Sequence, residues 1–223
     1  MTAKLTYVLL MVAVSALSVL SAAWGETIGK TALPLDAENV RVGESTLGDL
    51  VADAVRAQFD ADLALVQAGL LRSEAPALPA GEVTTEQLSK ALFFPEEPVV
   101  LVELPGAKLQ AALERSLSFL PQPSASLLQV SGLTVSYRAS APAGRRVTQV
   151  LVGKTPLAGQ RTYRVAMPAS LAKGNMGYFR IFDGAQVKQT GPSVSEALFR
   201  SVRTRGTIAI KPGERLRDLG ARG

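Results

Sequence analysis

The sequence predicts an α+β fold, a mixed β-sheet with helices packed on it. Three observations carry this. In the first half, helical and strand periods alternate. In the second half, strand-like runs follow one another directly, so repeated βαβ units do not account for the whole chain. Of the 223 residues, 47% are hydrophobic, enough for a real core and too many for disorder.

The elements are read in chain order. Residues 26–43 look like an extended lead-in. Ser45 or Thr46 can cap a helix to about Phe59, with Leu47, Leu50, Val51, Ala54, Val55 and Phe59 at helical spacing. Asp62 to Val66 reads as a short buried strand. Gly69, Pro76, Pro79 and Gly81 make residues 67–81 loop-rich. Thr84 and Gln87 stand at capping-box spacing and open a short helix through Ala91. Val99 to Val102 is a second buried strand. Pro105 suits the first turn of a helix, whose apolar face carries Leu109, Ala112, Leu113, Leu117 and Leu120. Leu128 to Arg138 alternates, with Gly132 as a bulge or turn. Val147 to Val152 runs into Gly153-Lys154, a hairpin signal, and then Tyr163 to Ala166. Ser193 caps a last helix bearing Val194, Ala197, Leu198 and Val202, and Thr207 to Ile210 closes the chain as a strand. Residues 121–124 and 139–144 read as surface loops. No internal repeat is visible.

Residues 1–25 come apart from this pattern. Lys4 precedes an apolar run from Tyr7 to Ala23, and Ala23-Trp24-Gly25 fits a small-x-small cleavage site, with Ser21-Ala22-Ala23 competing. This is the pattern of a secretory signal peptide, with an uncleaved anchor as the alternative. Residues 26–223 are then a single domain, expected in the periplasm or secreted and free of the membrane after cleavage. Removing one Lys and no acid lowers the net charge from +5 to +4. The arginines are scattered without interleaved aromatics, so no nucleic-acid face is expected. The absences are sharper. With no Cys and no His, these residues offer no disulfide framework, thiolate nucleophile, Ser-His-Asp triad or His-containing metal centre. Neither a catalytic residue nor a metal ligand nor a cofactor is assigned.

Several stretches, taken in order, resemble one family. They are Glu44-Ser45-Thr46-Leu47-Gly48-Asp49-Leu50-Val51-Ala52-Asp53-Ala54, Asp62 to Arg72, Leu78 to Thr84, Val100 to Leu109, Leu128 to Leu133, Thr162 to Ala166 and Gly174-Asn175-Met176-Gly177-Tyr178. Together they resemble the 5′-nucleotidase C-terminal domain over about residues 27–215. In that family an N-terminal metallophosphatase domain holds two divalent metals and performs hydrolysis. The C-terminal domain grips the nucleoside part of the substrate with arginines and sandwiches the base between two aromatic rings. The resemblance therefore implies a nucleotide- or nucleoside-binding module standing alone. Its hydrolytic partner would be a separately encoded metallophosphatase, because a His-containing metal cage cannot be built from this sequence.

The family's site residues carry over unevenly. Arg72 matches the arginine closing the Asn-Ala-Gly-Gly-x-Arg loop, and Arg41 matches one before the first helix; both suit an anionic or ribose oxygen, or could pair as surface groups with Glu44 or Glu74. Gly69 is kept, but Gln67 and Leu70 replace an Asn and a Gly. The Phe-Gly-Asn triplet that supplies the first ring reads Pro95-Glu96-Glu97, leaving Phe94 or Phe93 as a substitute ring. Glu97 would bring negative charge to the ligand. Gly174-Asn175-Met176 replaces Gly-Gly-Asp, and the second ring falls near Ser170 and is missing, with Tyr178, Phe179 or Phe182 either as stand-ins or as core residues. Arg41, Gly69, Arg72, Phe94, Glu97, Gly174, Asn175 and Tyr178 are the candidate binding residues. A scaffold or interaction domain that has lost its ligand is the competing reading, favoured by Glu97 and Met176.

Overall fold

The computed structural model describes residues 25–220. The leader, apart from Gly25, lies outside the described residues. No described helix is long and apolar enough to cross a membrane.

Twelve strands are described: β1 (Thr27–Thr31), β2 (Leu63–Gln67), β3 (Gly81–Thr84), β4 (Pro98–Pro105), β5 (Leu128–Ser131), β6 (Leu133–Tyr137), β7 (Val147–Val152), β8 (Thr155–Pro156), β9 (Thr162–Pro168), β10 (Val187–Ser193), β11 (Thr207–Ile208) and β12 (Leu216–Asp218). They form three sheets rather than one. The central sheet has the order β10-β4-β9-β2-β5 and is mixed: β2 and β9 run parallel, and its other neighbours antiparallel. A second sheet, β11-β1-β3, places β1 in its middle; the expected lead-in thus contains a paired strand. A third, β12-β6-β7-β8, forms a polar-edged flap.

The core follows burial of the sequence's apolar runs. All five side chains of β2 are buried, as a strand covered on both faces demands. The Thr46–Ala57 helix lies on β2 and β5, and Leu50, Val51, Ala54 and Val55 are fully buried. Each buried Leu or Val contributes about 1.5–3 kcal/mol by leaving water. Ser45 caps this helix through Gly48 N–H, while Thr84 and Ser193 close capping boxes with Gln87 and Glu196. The last helix, Val194–Arg205, packs across the first.

Two local readings change. Pro105 ends β4 and stands as N-cap of the Gly106–Leu117 helix, since its ψ of 149° is extended rather than helical. The Gly153-Lys154 hairpin joins β7 to the two-residue β8, whereas β9 joins the central sheet. Gly132, at φ 75°, is the turn that passes the chain from the central sheet to the flap.

Candidate functional site

The candidate residues sit on loops at one end of the central sheet, and a single segment ties these loops together. Ala68 N–H and Gly69 N–H donate to the carbonyls of Leu127 and Ala125 (2.7 and 2.9 Å). Ser124 N–H donates to Arg41 O (2.9 Å). Tyr178 Oη donates to Ser126 O (2.6 Å). Residues 124–127, partly read as surface loop, are therefore the hub on which the Arg41, Gly69 and Tyr178 segments meet. Buried Gln129 in β5 braces the Arg41 segment: its amide donates to Val40 O and Gly43 O and accepts from Ser45 N–H.

Arg72 stands at the far end of the Gly69 loop. Leu70 O and Ala91 O accept from Phe93 N–H and Arg72 N–H, binding that loop to residues 91–93. The Arg72 guanidinium lies 4.2 Å from the Phe93 ring centroid, donates from Nε to Leu92 O (3.2 Å) and sits 3.8 Å from Glu74. Of its two expected surface partners, Glu74 is the one present. Its side chain remains 40% exposed. Arg41 differs: its Nε is buried and has no hydrogen-bond partner. An unpaired buried donor of this kind costs about 1–3 kcal/mol.

The two ring positions are unlike each other. Phe94 is 59% exposed, with its centroid 6.4 Å from Phe93. At the second position, Ser170 hydroxyl accepts from the Gln67 amide (3.1 Å), and Ser170 N–H donates to Glu97 Oε1 (2.6 Å). Glu97 thus binds the first turn of the Ala169–Ala172 helix rather than presenting a free negative charge. Gln67 Oε1 is buried without a donor.

The Gly174–Tyr178 loop folds over Gly69. Gly174 and Gly177 hold φ of 88° and 85°, which suit glycine, but Met176 between them holds 59°. Arg115 Nη2 donates to Met176 O (2.9 Å), while its Nη1 reaches the hydroxyls of Ser118 and Ser126. The Met176 methyl lies against Gly69: a Cβ built there would stand 3.1 Å from it. Gly174 is buried and Asn175 exposed. Tyr178 is fully buried, stacked 5.5 Å from Phe182, and burial pushes its hydroxyl pKa upward. In this conformation its ring packs the core and is not presented to a ligand. Phe182 is equally buried, whereas Phe179 is 60% exposed.

Arg115 and Ser126 went unnoticed in the sequence. Arg115 occupies the last turn of an amphipathic helix, where a basic residue is ordinary; only the fold brings it to the Met176 loop. Among the described residues no cluster of three or more acids is placed to hold a metal ion.

Comparison with known proteins agrees with this architecture. A family model described as 5′-nucleotidase, C-terminal domain, matches residues 27–184. Apyrase from Anopheles gambiae is 34% identical over 193 residues, covering 82% of this chain and 33% of that protein. Snake venom 5′-nucleotidase from Macrovipera lebetinus is 32% identical over 176 residues, covering 70% and 43%. The chain thus spans a third of the first of these relatives and 43% of the second. The crystal structure of a 5′-nucleotidase precursor from Thermus thermophilus superposes with a TM-score of 0.79 at 26% identity, over 95% of this chain and 43% of that one. Haemophilus influenzae NAD nucleotidase shares the fold at a TM-score of 0.72 and 17% identity, over 86% of this chain and 38% of that one. The matched stretch contains every loop that meets on residues 124–127 as well as most of the mixed central sheet, and on that basis the chain belongs to the 5′-nucleotidase C-terminal domain family.

Proposed function

We infer that the domain is an exported nucleotide- or nucleoside-binding module that does not hydrolyse phosphate esters with its own residues. The observation that carries this reading is the retention of two arginines, Arg41 and Arg72, on segments of the loop cluster. Arg41 keeps a buried Nε without a partner, and the Arg72 side chain stays 40% exposed. Such donors suit a phosphate or ribose oxygen. Phe94, exposed at the same end of the sheet, offers a face for a base. Hydrolysis would fall to a metallophosphatase, since this chain has no His and no described acid cluster for a metal. The names of the relatives, apyrase and 5′-nucleotidase, support a role in nucleotide catabolism. Export rests on the Lys4 and Tyr7–Ala23 leader.

A second reading, a scaffold without a ligand, is favoured by Met176 lying on Gly69 and by the Glu97–Ser170–Gln67 chain at the second ring position. A thermal-shift series with AMP, ADP, adenosine and a nucleotide-sugar separates the two. A ligand that binds only the folded state raises the melting temperature as its concentration rises. A concentration-dependent rise with any of these probes is expected; no rise with all four at millimolar concentration would leave the scaffold reading.

A further inference from the structure

We propose that Met176 is a peroxide-oxidisable latch on the loop cluster; the proposal rests on the ligand-binding reading above. The described residues contain two thioethers. Met167, in β9, is fully buried, whereas Met176 is 40% exposed. A peroxide therefore meets one of them far more readily than the other. Position matters as much as access. The Met176 methyl packs on Gly69, in the loop that also carries Arg72, and its backbone is held left-handed. That conformation is uncommon for a side chain with a Cβ and stores backbone strain. Two contacts hold it there: the packing of its methyl on Gly69, and the Arg115 bond to Met176 O.

Oxidation removes the first contact. A hydroperoxide transfers one oxygen atom to the thioether sulfur, the O–O bond breaks, and the peroxide leaves as water or an alcohol. The sulfur is oxidised by two electrons and the peroxide reduced by two. The sulfoxide oxygen is a strong acceptor, and it does not belong against the apolar Gly69 Cα. The side chain swings out, the strained loop relaxes, and the space over Gly69 opens to a ligand. In the reduced protein the closed form lowers apparent affinity by the fraction of molecules that are open.

Hydrogen peroxide titration of the wild type and of Met176→Leu tests this. Trypsin releases Val165–Lys173 and Gly174–Arg180, each with one methionine, so mass spectrometry reads the two sites separately. The expected result is one added oxygen on Gly174–Arg180 before any on Val165–Lys173. Amide exchange at residues 68–71 and 174–178 should then quicken in the wild type and not in Met176→Leu. AMP binding by calorimetry should strengthen at least about threefold on oxidation, again only in the wild type. A methionine sulfoxide reductase should reverse all three. Oxidation of both peptides together, or unchanged exchange in the oxidised wild type, would overturn the latch. If AMP binds neither form, the ligand-binding reading falls, and the exchange data still decide the latch.

Discussion

Arg72 and Asp49 set two measurable consequences at the scale of single residues. The Arg72 side chain is partly exposed and held by a ring, a carbonyl and one acid. Arg72→Ala should weaken binding of a nucleotide by roughly ten- to a hundredfold, as expected for a lost charged hydrogen bond. Calorimetry with AMP checks this, and denaturation should show less than about 1 kcal/mol lost from the fold. Asp49 lies on the buried face of the first helix, fully covered, and neither carboxylate oxygen accepts a hydrogen bond. Burial, with Glu44 and Asp53 nearby, pushes its pKa up to about 9 against the pull of Arg215. A carboxyl raised in the fold stabilises it fully below the unfolded value of 3.8. That contribution is lost as pH rises toward 9. Asp49→Asn should therefore flatten the stability profile between pH 4 and 9. It should exceed the wild type by at least about 1 kcal/mol at pH 8, measured by urea unfolding. Asp53 works in the opposite sense. Burial raises it, but Arg215, Ser131 and Arg205 more than offset that and hold it low; subtracting the two profiles isolates Asp49. Neither residue announced its state in the sequence, where Asp49 reads as one more polar position in an amphipathic helix. Its partner Arg215 arrives from the far end of the chain. Arg72 was legible because its loop is local.

Whole elements were read best where the signal is short-range. The capping box at Thr84 and the cap at Ser193 placed two helix starts to the residue, and the choice of Ser45 or Thr46 placed a third to within one, since a cap involves four consecutive positions. β10 escaped because Val187 to Thr190 are exposed and mostly polar, and Gly191-Pro192 reads as a turn; its hydrogen bonds to β4, not its side chains, make it a strand. β12 escaped for a similar reason. It is seated by Glu44, whose carboxylate accepts from the backbone N–H groups of Glu214, Arg215 and Leu216 at 3.0, 2.7 and 2.6 Å. Arg215 then reaches Asp53 and Val130 O. Glu44→Ala removes the acceptor for three amides at once. It should cost about 1–3 kcal/mol and quicken amide exchange at residues 214–216 well before exchange at β2.

At the scale of the molecule, the α+β class and the mixed central sheet followed from the order of periods. The division into three sheets did not, because strand partners are set by long-range packing that period alone does not encode. The candidate loops were legible one by one, but their meeting on residues 124–127 was not. Purified with Mn²⁺, Zn²⁺ or Mg²⁺, the 223-residue chain should release no phosphate from AMP or ADP above a blank; metal-dependent turnover surviving removal of contaminating phosphatase would refute this. Intact mass of exported protein should give Glu26, or Trp24, as the first residue. One pairing bears on how such a chain is made. β1 is central in its sheet, and one of its two neighbours, β11, is supplied from nearly the opposite end of the sequence. A chain delivered N-terminus first can pair β1 with β3 early, but the other edge of β1 stays open until Thr207 and Ile208 emerge. Without them the sheet is β1 and β3 alone, and β1 is left as an unpaired edge able to pair with a neighbouring molecule. β11 thus closes a sheet that the first described residues begin, and a chain ending before Thr207 keeps that edge open.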